Sequence, residues 1–171
     1  LLIRENDRSG CKVGSIAVPS SIGLAPIERV GAIYEGVRFE ASPGWTPNGT
    51  YPEIGPVPLP GPAYGSWSGS DANTGTLRIG PIGITERTSS IAVPLVTGPV
   101  VRDLSLVLSD KTTGEVLVRL APPPTSQTWS VIQIEFPARP EGTELEIVAS
   151  DAGAGWGQWM ALGAPRHVSP R

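Results

Sequence analysis

Twenty-one glycines and nineteen prolines are spread through 171 residues, and this density constrains the fold more than any other feature. Each glycine inside a helix costs about 1 kcal/mol and each proline about 3 kcal/mol. Helix bundles, coiled coils and long helical repeats are therefore excluded. Collagen is excluded too, because the glycines follow no triplet period. A disordered chain would combine low hydrophobicity with high charge. Here 39% of residues are hydrophobic, only 17% are charged, and five are tryptophan. What remains is an all-β domain whose strands are separated by many Gly and Pro turns.

Period-two alternation recurs along the chain, most clearly over residues 32–41, 75–84, 90–96, 104–109, 115–121, 129–136 and 143–149. Seven such runs with turn residues between them predict an antiparallel β-sandwich. The length suits one domain spanning residues 1–171. In 129–136 the inward set is Trp129, Val131 or Ile132, then Ile134 and Phe136; the phase slips near Val131, where a bulge is expected. Asp110-Lys111-Thr112-Thr113-Gly114 reads as a hairpin loop with Gly114 free to take positive φ. Residues 13–18 read as an eighth strand stopped by Pro19. Residues 42–62 differ from the rest, holding seven prolines and four glycines around Trp45 and Tyr51. Loops this long inside a compact domain are uncommon and often functional.

The net charge is −3 and no basic run occurs, so nucleic acid is not an expected partner: phosphate affinity needs a field of Lys and Arg. Cys11 is the single cysteine, which rules out an internal disulfide and a thiolate metal cluster. No run of about 18 apolar residues could span a bilayer, and no leader with a basic start is present. The sequence opens on Leu1-Leu2-Ile3 without Met, as expected of a piece of something longer. His167 is the single histidine. So close to the C-terminus it reads as part of a frayed tail, where it could not serve a Ser/His/Asp or Cys/His apparatus. No glycine-rich phosphate loop precedes a helix, and carboxylate pairs alone have no specificity for glycosidase chemistry. The chain reads as noncatalytic.

Tryptophan carries the strongest functional signal. Trp129 opens a strand and is assigned to the core. Trp45, Trp67, Trp156 and Trp159 lie in Gly-rich, loop-like contexts. Sugar rings stack their C–H faces on aromatic faces, and their hydroxyls need polar side chains close by. Trp67 with Asp71 and Asn73, and Trp156 or Trp159 with Gln158, fit that pattern. Trp156 and Trp159 are three apart and would face opposite sides of a strand, so one is expected to be a stacking surface and the other core. The competing reading is that the indoles close the ends of an ordinary sandwich. Asp71 and Asp151 also lie near turns of the kind that hold calcium through carboxylate and backbone oxygens, although Asp-x-Asn-x-Gly is a common turn composition as well.

From Tyr64 onward, and above all over residues 129–166, the chain resembles the closing strands of galactose-binding-like jelly-roll modules. The features are a Trp-led strand at Trp129, Pro140-x-Gly142-x-x-Leu145-x-Ile147, then Asp151, a Gly-rich loop and an aromatic last strand. Residues 147–151 with 158–162 and Pro165-Arg166, and also Gly65-Ser66-Trp67 followed by residues 74–77, resemble the C-terminal carbohydrate-binding region of the cell-wall arabinosyltransferases. These are membrane glycosyltransferases with a soluble extracytoplasmic end. The resemblance implies a jelly roll that binds cell-wall polysaccharide or oligosaccharide without catalysis, often with a structural Ca2+, and located on the outer face of the cell envelope. It also implies a membrane-embedded remainder of the same protein, which would carry the catalytic carboxylates of such enzymes. The Pro-rich stretch before Tyr64 has no counterpart in it. The alternative expectation is a structural or protein-interaction sandwich in which that stretch docks on a neighbour.

Overall fold

Alternating apolar residues put two faces on every strand, and the computed structural model, which describes residues 22–169, shows how each face is covered. The larger sheet runs β1 (Ile22–Leu24), β10 (Ser130–Glu135), β7 (Ser90–Thr97), β12 (Met160–Gly163), β5 (Ala63–Gly65) and β4 (Thr46–Pro47), with β13 (Arg166–Val168) bridging β7 and β2 (Val30–Ile33). The smaller sheet runs β3 (Arg38–Ala41), β6 (Gly75–Gly83), β11 (Glu144–Asp151), β8 (Leu104–Asp110) and β9 (Val116–Leu120). The pairings are antiparallel. Between the sheets lies the main core, where Leu77, Ile79, Leu108 and Ile147 meet Ile91, Val93, Leu95 and Ile132. Each such side chain contributes about 1.5–3 kcal/mol on full burial. One 3-10 turn at Ile27–Arg29 is the only helical element among the described residues. The strand expected at 13–18, and Cys11, lie outside them.

Six of the seven expected strands form within a few residues of their expected limits. Residues 32–41 do not form a single strand. The chain leaves β2 in the larger sheet, turns at Gly36 (φ 75°) and enters the smaller sheet as β3. The expected hairpin closes β8 onto β9, with Gly114 at φ 77°. Asp110 Oδ1 accepts the Thr112 and Thr113 amides at 2.8 and 2.9 Å, and these bonds hold the Asp110 carboxyl below its ordinary value, the Thr113 amide contributing most.

The slip near Val131 is not a bulge. β10 pairs with β7 in unbroken register from Ser130 opposite Leu95 to Glu135 opposite Ser90. Ile132 and Ile134 face the main core, while Val131 faces outward into a second, smaller cluster with Ala25 and Ala92. The larger sheet is thus buried on both faces, which abolishes the expected alternation in its central strands. A third cluster on the same outer face joins Val96, Trp159 and Ala161 to Ile54, Trp67 and Trp129. Residues 42–62 supply much of this covering layer. They wrap the sheet rather than loop into solvent: Trp67 N–H donates to the Gly49 carbonyl at 3.1 Å, and the Trp129 indole donates to the Gly55 carbonyl at 3.0 Å. Trp129 is accordingly only partly buried, and it fastens the outer layer instead of filling the main core. Trp45, from the same segment, is buried in the main core.

Candidate functional site

At one end of the sandwich the loops converge on a cleft of about 270 Å³ lined by Tyr51, Glu53, Asp71, Pro99, Gln127, Trp156, Gly157 and Trp159. Trp156 is 76% exposed, the most exposed tryptophan among the described residues, whereas Trp159 is 2% exposed and belongs to the outer apolar cluster. Three residues apart, one indole faces water and the other the protein. Trp159 lies beneath the cleft with its indole buried, so of the two alternatives expected for this pair Trp156 is the exposed face and Trp159 the core residue, and Trp159 is not available to stack a sugar.

Glycine makes this loop possible. A Cβ on Gly153 or Gly155 would lie 2.6 and 2.7 Å from the Gln158 side chain, around which the loop closes. Gln158 is 3% exposed. Its Oε1 accepts the Gly155 amide at 2.8 Å, and its Nε2 donates to the Arg102 carbonyl at 2.7 Å and to Asp103 Oδ2 at 3.2 Å. Gln158 is therefore a pin that shapes the loop beneath Trp156, not a free hydroxyl partner. Gly157, at φ 74° and tight against Pro99, gives its amide to Asp71 Oδ2 at 2.8 Å. That bond ties the loop before β6 to the Trp156 loop and leaves the other Asp71 oxygen available at the cleft.

Trp67 is half-buried, with its ring centroid 5.5 Å from that of Tyr51 at 73°. It backs Tyr51 and does not line the cleft. Asn73 is also absent from the lining, because its amide donates within its own loop to Ser68 Oγ at 2.8 Å and to the Ser70 carbonyl at 3.1 Å. Of the expected residues, then, the fold gathers Trp156 and Asp71 at the opening and Trp159 below, and leaves Trp67, Asn73 and Gln158 behind it. Sequence reasoning missed Glu53 and Gln127. Tyr51 had a signal in the unusual length and composition of 42–62. Gln127 had none, as one of two consecutive residues at positive φ (Ser126 53°, Gln127 59°) in a turn closed by the Thr128 amide on the Thr125 carbonyl.

Asp151, at the end of β11, is 2% exposed and faces inward. Oδ1 accepts the Gly153 amide at 3.0 Å, and Oδ2 has no partner in good hydrogen-bond geometry, the nearby Ser66 hydroxyl being engaged with the Met160 backbone. Burial raises its pKa above the ordinary value; the Ser66 hydroxyl and the Gly153 amide oppose this, and the Asp103 and Asp71 charges add to it. A buried carboxylate oxygen without a partner is a place that a cation would satisfy. Among the described residues no group of three or more acidic, His or Cys side chains stands ready to hold a metal, so backbone oxygens would have to complete a calcium shell. Asp71, whose Oδ2 accepts the Gly157 amide, is near enough to Asp151 for its charge to add to the rise in the Asp151 pKa.

Comparison with solved structures places this geometry in a known fold. The C-terminal extracellular domain of Mycobacterium tuberculosis EmbC matches with a TM-score of 0.57 at 21% identity, over 86% of this chain and 61% of that one. The chain thus spans about three-fifths of the EmbC domain. The Mycobacterium smegmatis arabinosyltransferase EmbB matches at 0.51 and 15% identity, over 76% of this chain and 18% of that one. The carbohydrate-binding module TmCBM61, solved with β-1,4-galactotriose, matches at 0.51 and 11% identity, over 78% and 88%. The fold is an antiparallel β-sandwich of the jelly-roll type that these domains share. No protein-family model and no curated protein matches the sequence, and at these identities the likeness speaks for the fold alone. Within the jelly roll, the Trp156 cleft is built from the loops at one end, with residues 48–55 as an added wall.

Proposed function

We propose that the chain is a noncatalytic carbohydrate-binding module that takes a neutral oligosaccharide in the cleft beside Trp156. The observation that carries this reading is an almost fully exposed indole on the rim of a concave, polar cleft. An aromatic face beside a concavity with a few polar groups is the arrangement in which a sugar ring stacks and its hydroxyls find partners. One sugar ring stacks on Trp156 with Tyr51 across the cleft, while Glu53, Asp71 and Gln127 exchange hydrogen bonds with ring hydroxyls. The loop glycines and the Gln158 pin hold Trp156 in place before ligand arrives, which lowers the ordering cost of binding.

The same likeness supports an extracytoplasmic location and a parent protein related to arabinosyltransferases, the present chain supplying a glycan-binding end. A structural calcium at Asp151 belongs to this proposal, resting on the orphaned Oδ2. It predicts that millimolar Ca2+ raises the melting temperature of the wild type relative to EDTA and leaves Asp151→Asn unmoved; equal melting in both solutions removes the ion from the account.

Titration with galactotriose, arabinan and mannan fragments, followed by tryptophan fluorescence and calorimetry, tests the sugar site. Binding should be weak and accompanied by a fluorescence change that Trp156→Ala abolishes. Because Trp156 is so exposed, that substitution should change stability by less than about 0.5 kcal/mol. No fluorescence response to any fragment, or binding undiminished in Trp156→Ala, would sink the reading in favour of an interaction domain.

A further inference from the structure

A second cavity, about 520 Å³ and sharing no lining residue with the Trp156 cleft, lies against the outer face of the larger sheet. The two differ in charge. Glu53 and Asp71 are the charged residues of the first cleft. The second contains Arg29 and Arg87 together with His167, against one carboxylate, Glu135. In a chain with net negative charge, two arginines on one concavity form a local cationic field.

The side chains around this cavity are positioned in different ways. Arg29 is anchored through Nε and Nη2 to the Ser169 carbonyl, at 3.1 and 2.6 Å. Its Nη1 hydrogens remain unspent. Arg87 makes no ion pair or hydrogen bond through its side chain among the described residues. It stands in a turn fixed by the Thr85 amide on Thr88 Oγ1 at 3.0 Å and by the Thr88 amide on the Thr85 carbonyl at 2.9 Å. His167 is not the frayed tail residue that its sequence position implied. It lies in β13, and its ring stacks on buried Tyr34 with centroids 3.8 Å apart and planes 29° from parallel. Gln133 donates through Nε2 to Ser90 Oγ at 3.1 Å, which leaves its Oε1 to accept.

We infer that this cavity binds a saccharide bearing an oxyanion, a carboxylate or a phosphate, with Arg87 and Arg29 as the anion contacts and Gln133, Ser90 and Thr88 as hydroxyl partners. Guanidinium groups match the planar geometry of carboxylate and phosphate oxygens. Threonine, serine and glutamine side chains supply the mixed donors and acceptors that sugar hydroxyls need. The volume accommodates a ligand of one or two rings. The His167 ring, backed by Tyr34, forms the flat wall against which such a ring lies.

The test uses the full 171-residue chain with three probes: galacturonate trimer, glucose 6-phosphate and neutral galactotriose. Binding is read by calorimetry and by amide NMR shifts at residues 85–90 and 166–169. Because no tryptophan lines this cavity, tryptophan fluorescence stays silent here, and failure of this site is distinguishable from failure of the Trp156 cleft. One of the two anionic probes should bind with shifts confined to those segments, and which one binds identifies the oxyanion. Its dissociation constant should rise as NaCl goes from 50 to 300 mM, and Arg87→Gln should weaken it about tenfold. Trp156→Ala should leave it unchanged. The inference is overturned if neither anion binds, if galactotriose shifts the same amides equally, or if Arg87→Gln binds as tightly as the wild type. Arg87 is exposed in a turn, so its replacement does not endanger the fold.

Discussion

At the scale of single residues, burial decides which polar groups serve the ligand and which serve the protein. Asp71 and Gln158 carry the same signal in the sequence, a polar side chain near an indole in a Gly-rich loop. Asp71 lines the cleft, while Gln158 spends its amide on three internal hydrogen bonds. Nothing in the spacing separates them, because the difference arises from which loop closes over which side chain. Asp151 gives the residue-scale prediction. Its folded pKa lies above the ordinary 3.8, chiefly through burial, so between the two values the folded state binds more protons than the unfolded one. Stability therefore falls as pH rises through that window, and above the folded pKa the full cost is present. Urea unfolding in EDTA, with Asp151→Asn alongside, should show the wild type losing ground to the variant from about pH 4 upward. Parallel pH profiles would mean that burial does not weaken the acid.

At the scale of elements, the loop 152–159 behaves as one unit wrapped around Gln158. Gln158→Ala removes the hydrogen bonds to the Gly155 amide, the Arg102 carbonyl and Asp103. Each such bond contributes about 0.5–1.5 kcal/mol, the one to a charged group more. Chemical denaturation should therefore show a loss of about 2 kcal/mol or more, together with weaker sugar binding, although Gln158 does not line the cleft. Gly155→Ala should act in the same direction, since its Cβ would press on Gln158 Oε1. Unchanged affinity in both variants would show that the loop is held by something else. β6, β8, β9 and β11 of the smaller sheet were legible from alternation because one face is less buried, as in β11, where Leu145, Ile147, Ala149 and Asp151 are buried and the residues between them are not. β12 and β13 were not legible from alternation: the four residues of β12 are all buried, so this strand was expected only through the resemblance over 158–162, and β13 is only three residues long. The 42–62 segment announced itself by composition, yet its role as a second layer depends on Ile54 and Trp129 meeting across 75 residues of sequence, which local reasoning does not reach.

At the scale of the whole molecule, the larger sheet is a middle layer. Its inner face meets the smaller sheet through a broad cluster of Leu, Ile and Val, and its outer face, with Ala92, Val131, Val96 and Ala161, meets a thinner covering that includes Leu59, Ile54, Trp67 and Trp129. The two interfaces differ in apolar area, and hydrophobic stabilisation follows that area. The outer layer should therefore open without the inner one, as cooperative units of unequal stability do. Amide hydrogen exchange tests this directly: β6, β7, β8 and β11 should exchange slowest, and the hydrogen-bonded amides Gly49 and Ile54 of the wrap faster by at least about an order of magnitude. Trp129→Phe, which removes the indole bond to Gly55, should widen that gap while leaving β6 and β11 exchange nearly unchanged. Because Tyr51 and Glu53 enter the cleft from the wrap, the same substitution should weaken sugar binding without touching Trp156. Exchange of the wrap at the rate of the central strands would instead make it part of one cooperative unit, and the cleft would then be as rigid as the sandwich that supports it.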